Sequence, residues 1–295
     1  MAAVGGLRTH PDAATDRAIH TLETILSTST PVTANSPVAI VTGGARGIGL
    51  AIGHWFLARG HRIALLDIDQ QTLARSVAAF DRPDAVLAVH ADVRDPDQVA
   101  AGVAQVAATF GRIDKLVNNA GIAVFKPVMQ TSYAEFRDVL DTNLDGAFLC
   151  TQACVPHMLA AGGGAIVNIA SISGLRASTL RVAYGTSKAA LLHLTKQLAV
   201  ELGDVGIRVN AICPGPVETE MAKLVHSVAI RSDYQDAIPL GRYGTPEEMA
   251  NTVGFLCSED ASFINGQFLA VDGGFDAAGV GLPTLRRNAA AAAAQ

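Results

Sequence analysis

The chain has 295 residues, 49% of which are hydrophobic, and a formal net charge of −5 at pH 7. Its 22 Lys and Arg residues are scattered, which argues against the basic stripe that a nucleic-acid or anionic-membrane partner requires. Apolar runs are too short to cross a bilayer and the first residues lack a signal-peptide pattern, so we expect no membrane association and a cytoplasmic protein.

The cysteines stand at positions 150, 154, 213 and 257. Cys150 and Cys154 have helical spacing in an apolar stretch, and Cys213 falls in a predicted strand. No His or acidic cluster has the spacing of metal ligands. The sequence therefore predicts buried free thiols, a reducing compartment and no metal ion.

Residues 1–36 are predicted to be an N-terminal extension. Apolar residues recur at helical spacing from Ala18 to Leu26, which indicates an amphipathic helix. A linker rich in Ser, Thr and Pro follows this helix. We assign the extension no chemistry of its own.

From Val38 onward, short β-branched runs alternate with longer helical patterns. Strands are predicted at 38–41, 62–67, 85–91, 113–118, 164–170, 207–212 and 266–271. Helices are predicted at 48–58 and 70–80, after the Asp95-Pro96 cap, and at 132–160, 181–203 and 246–257. Apolar strands separated by helices indicate a parallel sheet covered on both faces. The expected fold is α/β: one Rossmann-type domain over 37–275, a doubly wound parallel sheet in three α/β/α layers.

Two segments lack this alternation. Residues 216–240 are expected to be a mobile segment that shapes substrate specificity, together with residues 172–181. Residues 276–295 form a Gly- and Ala-rich C-terminal tail to which we assign no active role.

A glycine-rich loop joins the first predicted strand to the first helix. In the stretch Thr42-Gly-Gly-Ala-Arg-Gly-Ile-Gly49, Gly43, Gly47 and Gly49 let the backbone approach a pyrophosphate at the helix N-terminus. The strand before the loop, the helix after it and the acidic residue Asp67 at the second strand end together predict a dinucleotide site.

Asp67 also predicts which dinucleotide binds. Its carboxylate accepts hydrogen bonds from adenosine ribose hydroxyls, whereas a 2′-phosphate would meet like charge. At ~4 Å and an effective dielectric constant of ~20 that repulsion is about 4 kcal/mol, roughly a thousandfold in affinity. Arg46 acts in the opposite direction, because a guanidinium beside the loop attracts a phosphate. We expect NAD, with NADP less favoured.

A tyrosine and a lysine four residues apart are the candidate catalytic pair. Tyr184 and Lys188 share one face of the helix predicted at 181–203, with Ser171 upstream. An unperturbed tyrosine titrates near ~10, so proton transfer near pH 7 requires a pKa shift of roughly three units, about 4 kcal/mol. The ammonium and a positively charged nicotinamide are expected to supply this stabilisation together.

The motifs together resemble those of the short-chain dehydrogenase/reductase family, over about Val38 to Gly274. Several match the family in order and spacing: the glycine loop, Asn118-Asn-Ala-Gly121, Pro214-Gly215 with Thr219, and Val271-Asp-Gly-Gly274. The family's catalytic tetrad is matched by Asn143, Ser171, Tyr184 and Lys188.

The resemblance implies hydride transfer between a secondary alcohol and a ketone. Tyr184 is expected to be the general acid/base, with Lys188 lowering its pKa and bonding the nicotinamide ribose. Ser171 is expected to bond the substrate oxygen, and Asn143 to hold a water that links Lys188 to solvent. The cofactor-binding residues implied are Gly43, Arg46, Gly47, Ile48, Gly49, Asp67, Asp92, Val93, Asn119, Ala120, Gly121, Tyr184, Lys188, Pro214, Gly215, Val217 and Thr219.

The substrate is left open among polyols, sugars and other small hydroxylated molecules. Arg181, three residues before Tyr184, is a candidate for facing the pocket and favouring a polar or anionic group. His226 shows no partner in the sequence and is predicted to be non-catalytic. Two alternative functions are an NADPH-dependent 3-oxoacyl-thioester reductase and a non-catalytic NAD-binding regulatory protein. The resemblance also implies a homotetramer built through the helices at 132–160 and 181–203 and the last strand.

Overall fold

The computed structural model describes residues 31–279 and 281–293. The predicted N-terminal helix from Ala18 to Leu26 lies outside the described residues. Seven parallel strands form one sheet in the order β3-β2-β1-β4-β5-β6-β7. The strands are β1 (Val38–Thr42), β2 (Arg62–Asp67), β3 (Val86–His90), β4 (Lys115–Asn118), β5 (Gly164–Ile169), β6 (Ile207–Pro214) and β7 (Phe268–Val271). The predicted doubly wound parallel sheet is confirmed.

Helices connect successive strands and cover both faces of the sheet. They are α1 (Gly47–Ala58), α2 (Gln70–Ala78), α3 (Pro96–Phe110), α4 (Tyr133–Leu140), α5 (Gly146–Ala160), α6 (Ile172–Leu175), α7 (Val182–Leu202), α8 (Glu220–Val225), α9 (Val228–Ala237), α10 (Pro246–Cys257) and α11 (Pro283–Ala293). No helix within the described ranges is long and apolar enough to span a membrane.

The hydrophobic core lies in two layers, one on each face of the sheet. Successive β1 side chains point to opposite faces, so Ala39 and Val41 pack with α1 and α10, while Val38 and Ile40 pack with α3 and α5. All five β1 residues are buried. This burial on both faces explains why the strands read as continuous apolar runs rather than as alternating ones.

The helix predicted over 132–160 contains a break that its sequence did not indicate. Residues Asp141–Asp145 form a π-helical turn between α4 and α5. Asn143 lies in this turn, and its side chain bonds the backbone of Ile122 in the loop after β4. The extra residue of a π turn changes where side chains point, and such turns are frequent at functional sites.

Two other segments contain more regular structure than the sequence predicts. Residues 216–240 include α8 and α9, which Thr219 and Ser227 cap at their N-termini. The tail 276–295 includes α11. The mobility of 216–240 stays a prediction. The buried free cysteines are confirmed.

The sheet places a crevice where the strand order reverses, between β1 and β4. The connections after β1 and β4 run to opposite sides of the sheet, so the loops that follow these two strands separate at the carboxyl edge. The Thr42 hydroxyl at the end of β1 accepts hydrogen bonds from the backbone N–H groups of Asn119 and Ala120 at 3.0 Å each. This crevice opens between the glycine loop and the loop after β4.

Candidate active site

The glycine loop has no space for side chains at two of its predicted positions. Gly43 adopts φ +61°, and a Cβ there would lie 2.9 Å from the Ala120 Cα. A Cβ at Gly49 would lie 2.2 Å from the Gly43 carbonyl oxygen. Because both obstacles are backbone atoms, neither position tolerates a side chain without distortion. Gly47, at φ +56°, faces Thr219 across the crevice.

Two carboxylates stand at the carboxyl end of β2, beside the loop. Asp67 accepts hydrogen bonds at 3.0 Å from the backbone N–H groups of Ala45 and Asp69. Arg46 donates to Asp69 at 3.1 Å, so its guanidinium is paired with a carboxylate. The sequence analysis did not identify this pair, because Arg46 and Asp69 are 23 residues apart and meet only in the folded chain. The local charge around Arg46 is therefore partly neutralised.

The remaining predicted residues of the cofactor side lie on the neighbouring strand ends. The Asn119 amide donates to the Thr42 and Gly43 carbonyls at 2.9 and 3.0 Å, which ties the loop after β4 to the glycine loop. Asp92 follows β3 and is paired with Arg94, which lowers the pKa of the Asp92 carboxyl. Val93 is buried.

A cavity of about 230 Å³ lies at the carboxyl ends of β4, β5 and β6. Ile48 of the glycine loop contributes to its wall, so the cavity adjoins the crevice. The predicted residues that line it are Ile48, Asn119, Gly121, Ser171, Tyr184, Lys188, Pro214, Gly215, Val217 and Thr219. The sheet thus brings these residues together from five separate stretches of the chain.

Ser171 and Tyr184 meet inside this cavity. Ser171 follows β5 as the N-cap of α6 and is 7% exposed, and its hydroxyl accepts from the Ser173 N–H at 3.1 Å. Burial raises the pKa of Tyr184, while the Ser171 hydrogen bond and the positive charge of Arg181 act to lower it. The described residues by themselves therefore do not give the predicted downward shift, because desolvation of the phenolate outweighs the nearby charges.

Lys188 lies one helical turn from the tyrosine. Its Nζ is 5.8 Å from the Tyr184 ring centroid and donates to the Ile169 carbonyl at 2.7 Å. The residue is 4% exposed, and burial lowers the pKa of its ammonium group to about 8. Lys188 thus lies beside the phenol at the predicted i, i+4 spacing, while its effect on the pKa of Tyr184 stays a prediction.

Asn143 does not line the cavity but lies directly behind it. Its Nδ2 donates to the Ile122 carbonyl and to the Ser187 hydroxyl at 3.0 Å each, and its Oδ1 accepts from the Ile122 N–H at 2.8 Å. The side chain is thus bonded as a satisfied core amide would be. It holds the loop after β4 against α7, while its predicted contact with a relay water stays a prediction.

The segment after β6 closes the crevice on the other side. Gly215 donates its N–H to the Val271 carbonyl at 3.0 Å, and a Cβ at Gly215 would lie 2.7 Å from the Asp272 Cβ. The Thr219 hydroxyl accepts from the Ala222 N–H at 3.2 Å as the N-cap of α8. Thr219 therefore performs a capping role while its methyl group faces Gly47.

The substrate side of the cavity is aromatic and basic. Arg181 lines the cavity and donates to the Tyr234 hydroxyl at 3.1 Å. His226 bonds the Tyr243 hydroxyl through Nδ1 at 3.0 Å. Burial, followed by the charges of Arg181 and Arg231, lowers the pKa of His226. The predicted position of Arg181 at the pocket is confirmed.

Sequence reasoning missed three apolar wall residues, Ile122, Ala123 and Phe125. They directly follow Asn118-Asn-Ala-Gly121 at the carboxyl end of β4. In a parallel sheet this edge carries the ligand, so their position in the topology was the available signal. Among the described residues, no group of three or more His, Cys, Asp or Glu is arranged to hold a metal ion.

Comparison with known families agrees with this geometry. Residues 43–276 match a family model described as enoyl-(acyl carrier protein) reductase. The chain is 45% identical over 248 residues to 2-(R)-hydroxypropyl-CoM dehydrogenase of Xanthobacter autotrophicus, covering 82% of this chain and 99% of the relative. It is 41% identical over 240 residues to a 3-oxoacyl-(acyl-carrier-protein) reductase of Chlamydia muridarum, covering 80% and 96%.

Solved structures share the fold as well. A gluconate 5-dehydrogenase from Burkholderia cenocepacia J2315, crystallised in complex with NADP and tartrate, superposes with a TM-score of 0.78 at 34% identity. The match covers 82% of this chain and 95% of that one.

Proposed function

Because the chain belongs to the short-chain dehydrogenase/reductase family, we propose that it is an NAD-dependent oxidoreductase that interconverts a secondary alcohol and its ketone. The substrate class proposed is a polyol, a sugar or another small hydroxylated molecule. The observation that carries this proposal is the meeting of Ser171, Tyr184 and Lys188 in one cavity beside the glycine loop.

Tyr184 is the proposed proton-transfer group. In oxidation its phenolate accepts the proton of the substrate hydroxyl, the C=O bond forms, and a hydride leaves the same carbon. In reduction the phenol donates the proton to the oxygen. Ser171 is placed to hold the substrate oxygen, because it lines the same cavity as the Tyr184 phenol. General acid–base catalysis of this kind contributes about 10²- to 10⁴-fold to the rate.

Lys188 is the proposed electrostatic partner of the tyrosine. Its pKa of about 8 leaves it protonated near pH 7, so a positive charge lies beside the phenolate when proton transfer occurs. Its buried position limits screening by solvent.

The crevice fits a dinucleotide on three observations. The glycine loop excludes side chains at Gly43 and Gly49, α1 begins within this loop at Gly47, and the Asp67 carboxylate stands at the adjacent strand end. Gly43, Gly47 and Gly49 would hold the pyrophosphate, and Thr219 the nicotinamide end. When bound, the nicotinamide supplies the hydride acceptor, and its oxidised form adds positive charge near the phenol.

The proposal of NAD over NADP rests on charge at the end of β2. Asp67 and Asp69 are two carboxylates where a 2′-phosphate would lie, and Arg46 is paired with Asp69. Repulsion by one such carboxylate at ~4 Å is about 4 kcal/mol at an effective dielectric constant of ~20. This pairing weakens the positive charge of Arg46, which would otherwise attract the 2′-phosphate of NADP.

The second candidate is an NADPH-dependent 3-oxoacyl-thioester reductase. This candidate is supported by the 41% identity of the chain to the 3-oxoacyl-(acyl-carrier-protein) reductase of Chlamydia muridarum. The carboxylates at the end of β2 disfavour it, because they oppose NADPH binding.

Turnover with NAD and with NADP, compared across polyols, sugars, hydroxy acids and secondary alcohols, tests the proposal. We expect NADH formation with NAD on a hydroxylated substrate. Activity only with NADPH on 3-oxoacyl thioesters would establish the second candidate. Binding of NAD without turnover of any alcohol or ketone would indicate a regulatory protein.

We also propose a homotetramer in the cytoplasm. The edge strand β7 exposes Phe268 and Leu269, α5 exposes Phe148, and Val200 on α7 is 81% exposed. Exposed apolar side chains on an edge strand and two helices are removed from water when copies of the chain pack there. Light scattering should give four times the monomer mass, and a stable monomer would contradict this assembly.

A further inference from the structure

Arg181 is held in the cavity wall by neutral groups. It donates from one terminal nitrogen to the Tyr234 hydroxyl at 3.1 Å and from the other to the Ser173 hydroxyl at 3.4 Å. Its guanidinium carbon lies 5.0 Å from the centroid of the Phe125 ring. These contacts fix the guanidinium in one place without neutralising its charge.

Three arginines in the segments after β6 have carboxylate partners. Arg231 is paired with Glu218, Arg242 with Glu248, and Arg287 with Asp236. Within the described ranges, no carboxylate lies at ion-pair distance from Arg181. The residues that line the cavity include no Asp or Glu either. Arg181 therefore differs from these three arginines, because no carboxylate of the described residues pairs with it.

One donor of Arg181 is left over. Its Nε is buried and has no hydrogen-bond partner among the described residues. A buried charged donor without a partner costs free energy unless a ligand completes it. The planar guanidinium fork matches the oxygens of a carboxylate or a sulfonate better than it matches a neutral hydroxyl.

We infer that Arg181 binds an anionic oxyacid group of the substrate, so that the substrate is a small secondary alcohol or ketone carrying a carboxylate or a sulfonate. This inference rests on the proposed function of the same cavity. Arg181 and Tyr184 are three residues apart at the start of α7, which places the anionic group beside the reacting carbinol rather than at the far end of a long chain.

Tyr234 is the positioning residue for this arginine. It stands on α9, and its ring packs edge-on against Phe275 at 5.9 Å and tilted against His226 at 5.2 Å between ring centroids. Because the hydroxyl accepts from Arg181 and carries no charge, it orients the guanidinium and leaves the charge available to the substrate.

The test uses matched substrates of one carbon skeleton: a hydroxy carboxylate, the corresponding hydroxyalkyl sulfonate, and the neutral amide. The variants are Arg181→Met and Arg181→Lys, with Lys223→Met as the control. Lys223 is an exposed cation on α8 that does not line the cavity, so its removal reports only long-range attraction of anions.

We expect Arg181→Met to lower kcat/KM for the preferred anionic substrate by about 10- to 100-fold, mainly through KM. The amide should lose much less, and through kcat, because the Arg181 charge also acts on the Tyr184 phenol. Arg181→Lys should recover part of the loss, and Lys223→Met should change neither. Tyr234→Phe should give a smaller loss, confined to the anions. Comparison of the hydroxy carboxylate with the hydroxyalkyl sulfonate shows which oxyacid group Arg181 recognises.

Equal losses for the amide and the anions in Arg181→Met would overturn the inference, since the arginine would then act on Tyr184 or on folding. A wild-type preference for the amide would overturn it while leaving the proposed function intact. If no substrate turns over with NAD, the proposed function fails separately. Calorimetric binding of the keto carboxylate, in the presence of NADH, then decides: equal affinity for wild type and Arg181→Met overturns the inference.

Discussion

The two sides of the cavity are held in place by different kinds of contact. On the cofactor side, the glycine loop and β1 are fixed by backbone atoms: β1 is buried throughout, and a Cβ at Gly49 would lie 2.2 Å from a carbonyl oxygen. On the substrate side, α9 has no buried side chain among its described residues, and Val228 is 87% exposed. There, single side-chain pairs such as Arg181 with Tyr234 make the contacts.

Because of this difference, the two sides of the cavity tolerate amino-acid substitution to different degrees. Backbone packing leaves only small residues at fixed spacing, so the cofactor side is constrained wherever the same cofactor binds. Side-chain pairs on exposed helices can change one at a time with little cost to the fold, and such segments belong to the less stable part of a protein. Specificity is therefore expected to reside on the substrate side.

Removing the Tyr184 phenol, which lies between the two sides, should have the largest effect on activity. In Tyr184→Phe, the kcat of NAD-dependent oxidation should fall by about 10²- to 10⁴-fold, because the proton acceptor is lost. NADH affinity, measured by fluorescence titration, should stay within about threefold if the cofactor side is independently fixed. Substantial turnover in this variant would show that another group transfers the proton.

Neutralising the carboxylate at the end of β2 should change cofactor choice next most strongly. Asp67→Asn keeps the shape and one acceptor oxygen, and should lower the ratio of kcat/KM for NAD to that for NADP by up to about a thousandfold. Asp84→Asn, an exposed carboxylate paired with Arg82, is the control. An unchanged ratio in Asp67→Asn would mean that Asp67 does not face the adenosine ribose.

The buried lysine should make stability depend on pH. Its folded pKa of about 8 lies below the ordinary value, so the unfolded chain binds the proton more tightly. The resulting penalty is fully present below pH ~8 and disappears as the pH rises to ~10.4. In Lys188→Met this penalty is absent, although the bond to Ile169 is lost too.

The free energy of unfolding of wild type, relative to Lys188→Met, should therefore rise by about 2 kcal/mol between pH 7 and pH 10. Urea unfolding at both pH values measures it. Lys196→Met, an exposed lysine on the same helix, is the matched control. A flat difference across this range would mean that burial does not disfavour the ammonium of Lys188.

Adding one methyl group to the glycine loop should have the smallest of these effects. Gly49→Ala forces the new Cβ against the Gly43 carbonyl, which should cost about 1–3 kcal/mol of stability and weaken NADH binding by about tenfold. In Gly281→Ala the new Cβ would meet Ala278 at 3.5 Å, an ordinary contact, so this variant is the control. Equal NADH affinity in both variants would show that the loop does not approach the cofactor.

The cofactor side could be predicted from the sequence because its physical constraints are local. Glycines at fixed spacing between a strand and a helix, and an acidic strand end at Asp67, require no knowledge of distant contacts. The sheet followed from the alternation of apolar strands with helices, and the structure confirms that it is a doubly wound parallel sheet.

The substrate side could not be predicted to the same depth. Arg181 and Tyr234 are 53 residues apart in the chain, and their contact depends on how α9 packs. The pairing of His226 with Tyr243 and the π turn at Asn143 likewise depend on tertiary contacts that no periodic pattern reveals. The position of Arg181 at the pocket was predictable because it stands one helical turn from Tyr184.

A crystal structure with NAD bound tests the central claim most directly. We expect the adenosine ribose hydroxyls at Asp67, the pyrophosphate over Gly43 to Gly49, and the nicotinamide in the cavity between Tyr184 and Thr219. A dinucleotide whose nicotinamide lies outside that cavity, away from Tyr184 and Lys188, would contradict it.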